Sequence, residues 1–187
     1  TANAIAWFNF EAIGRSPARM DFKKLDNLNG HYIRATPDGA LEAEVATFLE
    51  RQVPPRILSA TARTRLLAAM PVLKERAKTL VELADAGEFL YTNGPRDLDA
   101  AAQKLLTPEN RAALGTVLPA LEATDWTGPA LEAAARAHAE AAGLKLGQVA
   151  QPLRAALTGK LASPPLFEML ALLGREESLI RLRAYAA

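Results

Sequence analysis

Cysteine is absent from the 187 residues, which excludes disulfides and thiolate-bound metals. The two histidines, His31 and His138, lie far apart without ligand spacing, so no metal site is expected. No apolar run approaches the ~20 residues that span a bilayer, so no membrane association is expected. The opening stretch, TANAIAWFNFEAIG, lacks the basic segment of a signal peptide and lacks methionine; it reads as a cut inside a longer polypeptide. A soluble, cytoplasmic, monomeric fragment is the expectation. Catalytic signatures are missing too: there is no GxSxG elbow, no P-loop and no Rossmann glycine fingerprint. LTGK at 157–160 has neither the preceding strand nor the glycine spacing of a phosphate loop. No catalytic residue is expected in these residues. No segment alternates with period two, and no repeat stands out.

Aromatic residues make up only 6% of the chain, whereas half is apolar and roughly a fifth is alanine. Alanine is the best helix former and a poor strand residue, so thin, closely packed helices are expected. The net charge of +1 conceals segregation. Residues 51–80 carry Arg51, Arg56, Arg63, Arg65, Lys74, Arg76 and Lys78 against Glu75 alone, while 120–142 carry four carboxylates against Arg136. A basic face of this kind suits nucleic acid, and equally describes a solvated helix face.

Asp21 opens a helical pattern with Phe22, Leu25 and Leu28, which Asn29-Gly30 is expected to end or bend. Thr36-Pro37 suits the cap and first position of a helix to about Arg51, with Leu41, Val45, Phe48 and Leu49 on one side. A helical pattern runs from about Ser59 to Ala84, with Pro71 forcing a kink or restart. Further helices are expected at about 97–106, 108–123, 129–142, 145–158, 164–173 and 175–185. Carboxylates in PRDLD and GREES read as solvated faces, and Trp126 as a core or hinge plug. The chain is thus expected to be all-α: a segment over 1–35, a first helical bundle over 36–115 and a second over 116–187.

The stretch LRAALTGKLASPPLFEMLALLGREE, residues 153–177, sets two prolines ahead of an apolar helix. Pro164 and Pro165 at its first two positions would have φ already fixed and no N–H to satisfy, leaving Leu166 and Phe167 as the first free donors. Ser163 would cap the helix or turn toward a ligand. The result is a stiff corner with a partly positive end, suited to a base edge or a phosphate. Phe167 or the edge of Leu166 offers a surface for an unstacked base, and Arg154 a forked donor. Simple core remains an equal reading for Leu166 and Phe167.

Together with GRSPARMDFKKLDNLNGHYIR (14–34) and LLAAMPVLKERAKTLVELADAGEFLY (66–91), this stretch, continued as LRAALTGKLASPPLFEMLALLGREESLIRLR (153–183), resembles bacterial glutamyl-tRNA synthetases, class I enzymes. The first segment is similar to the end of the family's stem-contact region, the other two to its helical anticodon-binding part. The resemblance implies anticodon contacts at Arg154, Ser163, Pro164, Leu166 and Phe167, and at Arg76, whose alternative is a solvated arginine beside Glu75. It also implies that Arg15, Arg19, Lys23 and Lys24 touch tRNA backbone, positioning it without specifying sequence, unless they are ordinary surface cations. The family's HIGH-like and KMSKS-like ATP signatures do not occur here, so ATP and magnesium would belong to a catalytic domain outside these residues. The implied partner is tRNA-Glu, with tRNA-Gln left open. The rival from another class is a helical protein-interaction scaffold whose basic face binds an acidic partner.

Overall fold

The computed structural model describes residues 2–11, 14 and 19–186, and these form eleven helices and no strand. Short α1 (Ala2–Trp7) precedes α2 (Phe22–Ala35), capped by the Asp21 carboxylate, which accepts from the Lys24 N–H at 3.2 Å. Contrary to expectation, α2 runs straight through Asn29-Gly30. Gly30 is buried because the helix presses there on the chain at Lys78: an added Cβ would lie 3.5 Å from the Lys78 side chain and 3.6 Å from its Cα. The Asn29 side-chain amide donates to the Lys78 carbonyl beside it. Phe22, Leu25 and Leu28 stay exposed, and only Ile33 of this helix enters the core.

Helices α3 (Asp38–Glu50), α4 (Ala60–Leu73) and α5 (Leu80–Tyr91) pack on one another. The pattern from Ser59 to Ala84 is therefore two helices. Pro71 sits in the last turn of α4, where its missing N–H and its ring weaken continuation, and Thr79 starts α5 by accepting from the Glu82 N–H at 3.1 Å. Leu41, Val45 and Leu49 of α3 are buried as the spacing indicated. Gly87 allows α5 close to α4, since a Cβ there would meet Leu66 Cδ1 at 2.9 Å. A forked ion pair joins these layers, with Arg63 Nε and Nη2 donating to the two Glu42 oxygens at 2.8 and 2.9 Å.

The remaining helices are α6 (Ala100–Leu105), α7 (Pro108–Glu122), α8 (Gly128–Ala141), α9 (Leu146–Thr158), α10 (Leu166–Leu173) and α11 (Arg175–Tyr185). Helices α7, α8 and α9 pack together, α6 lies on α9, α11 bridges α7 and α9, and α10 reaches both α8 and α4. A division at 115/116 would cut α7 in its middle; the change of packing partners instead falls across Thr92–Asp99. Trp126 is half-buried against the core and donates from Nε1 to the Leu170 carbonyl at 2.9 Å, tying the α7–α8 turn to α10.

The two groups share one apolar core, and one buried cation crosses between them. Arg181 of α11 is fully buried. Its Nη1 donates to the carbonyls of Phe89 at 2.8 Å and Leu157 at 3.1 Å, its Nη2 to that of Thr92, and its Nε to Glu177 at 2.8 Å. Glu177 also accepts from the Gly94 N–H at 2.7 Å. The GREES carboxylates are thus not all a solvated face: Glu177 holds the inter-helix turn at the point where the packing changes.

Candidate nucleic-acid interface

The corner is built from the end of α9. Gly159 closes that helix in the left-handed region, with φ of +75°, and a Cβ there would sit 2.2 Å from the Asp97 carbonyl oxygen, so only glycine fits. LTGK is therefore a helix end. The chain then runs to Pro165, which is extended at ψ 118° and precedes α10 as its cap residue. The expected start at Pro164 fails because a residue followed by proline is pushed out of the helical region. Ser163 accordingly does not cap α10; its hydroxyl donates to the Pro164 carbonyl at 3.0 Å.

Arg154, in the second half of α9, holds this corner. Its Nη1 donates to the carbonyls of Ser163 at 3.1 Å and Pro164 at 2.8 Å and to the Ser163 hydroxyl. One guanidinium nitrogen is thereby committed within the protein, while Nε and Nη2 have no acceptor among the described residues. Burial and then the like charge of Arg76 push the Arg154 guanidinium below its ordinary value. Arg76 itself is exposed and makes no ion pair among the described residues. The structure thus brings Arg76, Arg154, Ser163 and Pro164 into one neighbourhood.

Leu166 is 3% exposed and part of the core, so its side chain offers no platform for a base. Its backbone N–H, with those of Phe167 and Glu168, has no acceptor among the described residues, which leaves donors at the start of α10. Phe167 is half-buried and borders a surface hollow of about 220 Å³ facing Gly128, Pro129 and Glu132. Arg19, Lys23 and Lys24 are exposed around the start of α2, where Lys24 stands 4.0 Å from Asp21; no hydrogen bond or ion pair joins them to the corner. Arg15 lies outside the described residues.

The basic run over 51–80 is less bare than its sequence. Arg63 meets Glu42, Lys74 Nζ lies 2.6 Å from Asp38, and Arg56 Nη1 donates to Glu88 at 2.9 Å. Burial alone would raise the Glu88 carboxyl, but Arg56, Arg96 and Lys160 outweigh it and hold it below its ordinary value. Glu88 and its neighbour Asp85, both unnoticed in the sequence, line a cleft of about 160 Å³ that opens between α5 and the proline corner. The only sequence signal for it was the spacing of three carboxylates, Glu82, Asp85 and Glu88, at every third position of α5.

Three comparisons place this geometry among known proteins. A family model described as "Anticodon binding domain" matches residues 41–186. Glutamate–tRNA ligase 1 of Methylobacterium sp. (strain 4-46) is 55% identical over 100% of this chain and 40% of its own length. Glutamate–tRNA ligase 2 of Rhodospirillum centenum is 54% identical over 97% of this chain and 39% of its own. The chain thus spans about two fifths of the length of these curated relatives. The crystal structure of a glutamate tRNA ligase from Elizabethkingia meningosepticum superposes with a TM-score of 0.76 at 24% identity, covering 95% of this chain and 34% of that one, a likeness of fold.

Proposed function

We propose that this chain, which belongs to the anticodon binding domain family, holds the anticodon arm of a tRNA by laying unpaired loop nucleotides against the corner at Ser163–Phe167. The observation that carries this reading is the Arg154 clamp. It fixes a half-exposed proline turn, next to the unpaired charge of Arg76 and the free N–H groups of α10. A preformed, donor-rich surface loses little entropy when it grips a flexible loop, and unstacked bases are read on their edges and faces. Arg154 acts chiefly by shaping the corner, with Nε and Nη2 left to face the RNA.

The RNA is tRNA-Glu, since the curated relatives are glutamate–tRNA ligases, with tRNA-Gln as the second candidate for the same site. In the ligase as a whole, glutamate is joined to the tRNA at the expense of ATP, with magnesium. None of the residues here is assigned to handling either. The protein works as a cytoplasmic monomer, and Arg19, Lys23 and Lys24 touch tRNA backbone. A scaffold for an acidic protein is less well supported, because Glu42, Asp38 and Glu88 already neutralise much of the basic run.

Fluorescence anisotropy with a tRNA-Glu anticodon hairpin and a hairpin of scrambled loop tests the reading. Tighter binding of the native loop is expected, and Arg76→Ala should weaken it. Equal affinity for both hairpins would refute base reading. Absence of RNA binding together with capture of an acidic protein would favour the scaffold.

A further inference from the structure

We infer that the cleft between α5 and the proline corner receives one splayed cytosine, whose exocyclic amino group donates to Asp85. The inference rests on the reading above, that the chain grips an anticodon arm, and assigns to it a base pocket on the α5 side of the corner.

The cleft's volume, about 160 Å³, is well under the ~300–1,000 Å³ of drug-sized pockets and suits a single ring. Its walls are apolar, from Ala86 and Phe89 of α5 and from Ala162 and Pro164 opposite. Such walls favour the faces of a base over a ribose or a phosphate. Two carboxylates at the rim, Asp85 and Glu88, also disfavour a phosphate group. The remaining polar groups differ in how far they are already engaged. Glu88 is held by Arg56 and Arg96 at 2.9 and 3.6 Å. The Ser163 hydroxyl is engaged with Arg154 and Pro164, and the Thr158 hydroxyl donates to the Arg154 carbonyl at 2.9 Å.

Asp85 is different. It is exposed at the mouth and makes no hydrogen bond or ion pair among the described residues. A carboxylate can only accept, so it accommodates the amino group of cytosine and repels the carbonyl oxygen that uracil carries at the same place. Lys160, also at the rim and without an ion pair among the described residues, supplies a cation for the adjoining backbone without distinguishing bases. Asp85 is therefore the group that selects.

The test measures binding of the intact chain to anticodon hairpins carrying cytosine or uridine at each loop position in turn. Cytosine should be preferred at one position by about fivefold or more, the low end of what a good base-edge contact provides. Asp85→Asn and Asp85→Ala should bring that ratio close to one with an unchanged melting temperature, because Asp85 touches no core residue through a polar bond. Lys160→Ala should weaken all hairpins alike and keep the ratio. The inference is overturned if the intact chain shows no such preference, or if both Asp85 variants retain it at every position. Failure of the intact chain to bind any hairpin would instead overturn the anticodon reading itself, and it is seen before any substitution is made.

Discussion

Arg154 shows how a side chain serves a site through the backbone it holds. Its removal frees the Ser163 and Pro164 carbonyls and the Ser163 hydroxyl together. Arg154→Ala should therefore weaken the anticodon hairpin by ~1–3 kcal/mol and change base preference, as measured by anisotropy titration. Tyr91 offers a test by pH. Burial, with the nearby Glu88 charge, pushes its phenol up to about 12, and its O–H donates to the Ala84 carbonyl at 2.8 Å. Because the folded value is raised, the fold favours the protonated form. That stability is complete below the ordinary phenol value near 10 and is lost as pH rises through about 12. An absorbance titration of tyrosinate should show a late step near pH 12 that Tyr91→Phe abolishes. At this scale the sequence was partly legible. Two prolines behind a serine marked the corner, but the fate of Leu166 as core depended on neighbours that no local pattern names.

At the scale of elements, two glycines make opposite demands. Gly30 is helical, and an added Cβ meets nothing closer than 3.4 Å, where it touches the mobile end of Arg34. Gly30→Ala should stabilise the chain by about 0.5–1 kcal/mol by reducing the freedom of the unfolded state. Gly159→Ala should destabilise it by at least ~1–2 kcal/mol, since left-handed backbone disfavours a Cβ and the Asp97 carbonyl occupies its place. Urea unfolding of both variants distinguishes the signs. Helix starts near Ser59 and Thr107 were marked in the sequence, and each of these residues accepts from an N–H three residues on. The start expected near 97 falls instead behind Asp99, which caps α6 in the same way. Thr36 ends α2, while Pro37 precedes α3 without a side-chain cap. Asn29-Gly30 misled because its glycine serves a contact with Lys78, far along the chain, and not a turn. The apolar stripe of α2 was equally legible as a helix, though its period alone did not show that Phe22, Leu25 and Leu28 face outward.

Across the whole molecule, the helical class was dictated by alanine content and periodicity, while the joint between the two helix groups was not. That joint depends on Arg181, whose four partners lie up to 92 residues away. The carboxylates of GREES read as a solvated face; full burial of Arg181 beside Glu177 makes the pair a clamp. Arg181→Met should cost about 3–5 kcal/mol, because Glu177 and three carbonyls lose their donor together, and calorimetry should show the loss in a single cooperative transition. Charge removal at Lys23 or Lys24 acts at long range instead. Each should flatten the dependence of log affinity on log salt by roughly 0.7–0.9 for every phosphate left without its cation, while base preference stays the same.

The three oxygens gripped by Arg181 all belong to peptide groups, so no side chain at Phe89, Thr92 or Leu157 is needed to supply them. Substitution at those positions leaves the oxygens where they are, as long as the helix keeps its phase. Deleting one residue from α5 ahead of Phe89 would turn everything beyond it by about 100° and carry two of the oxygens out of reach. Along that edge of α5 the clamp thus fixes length and not spelling, and Phe89 is kept for its place in the core instead.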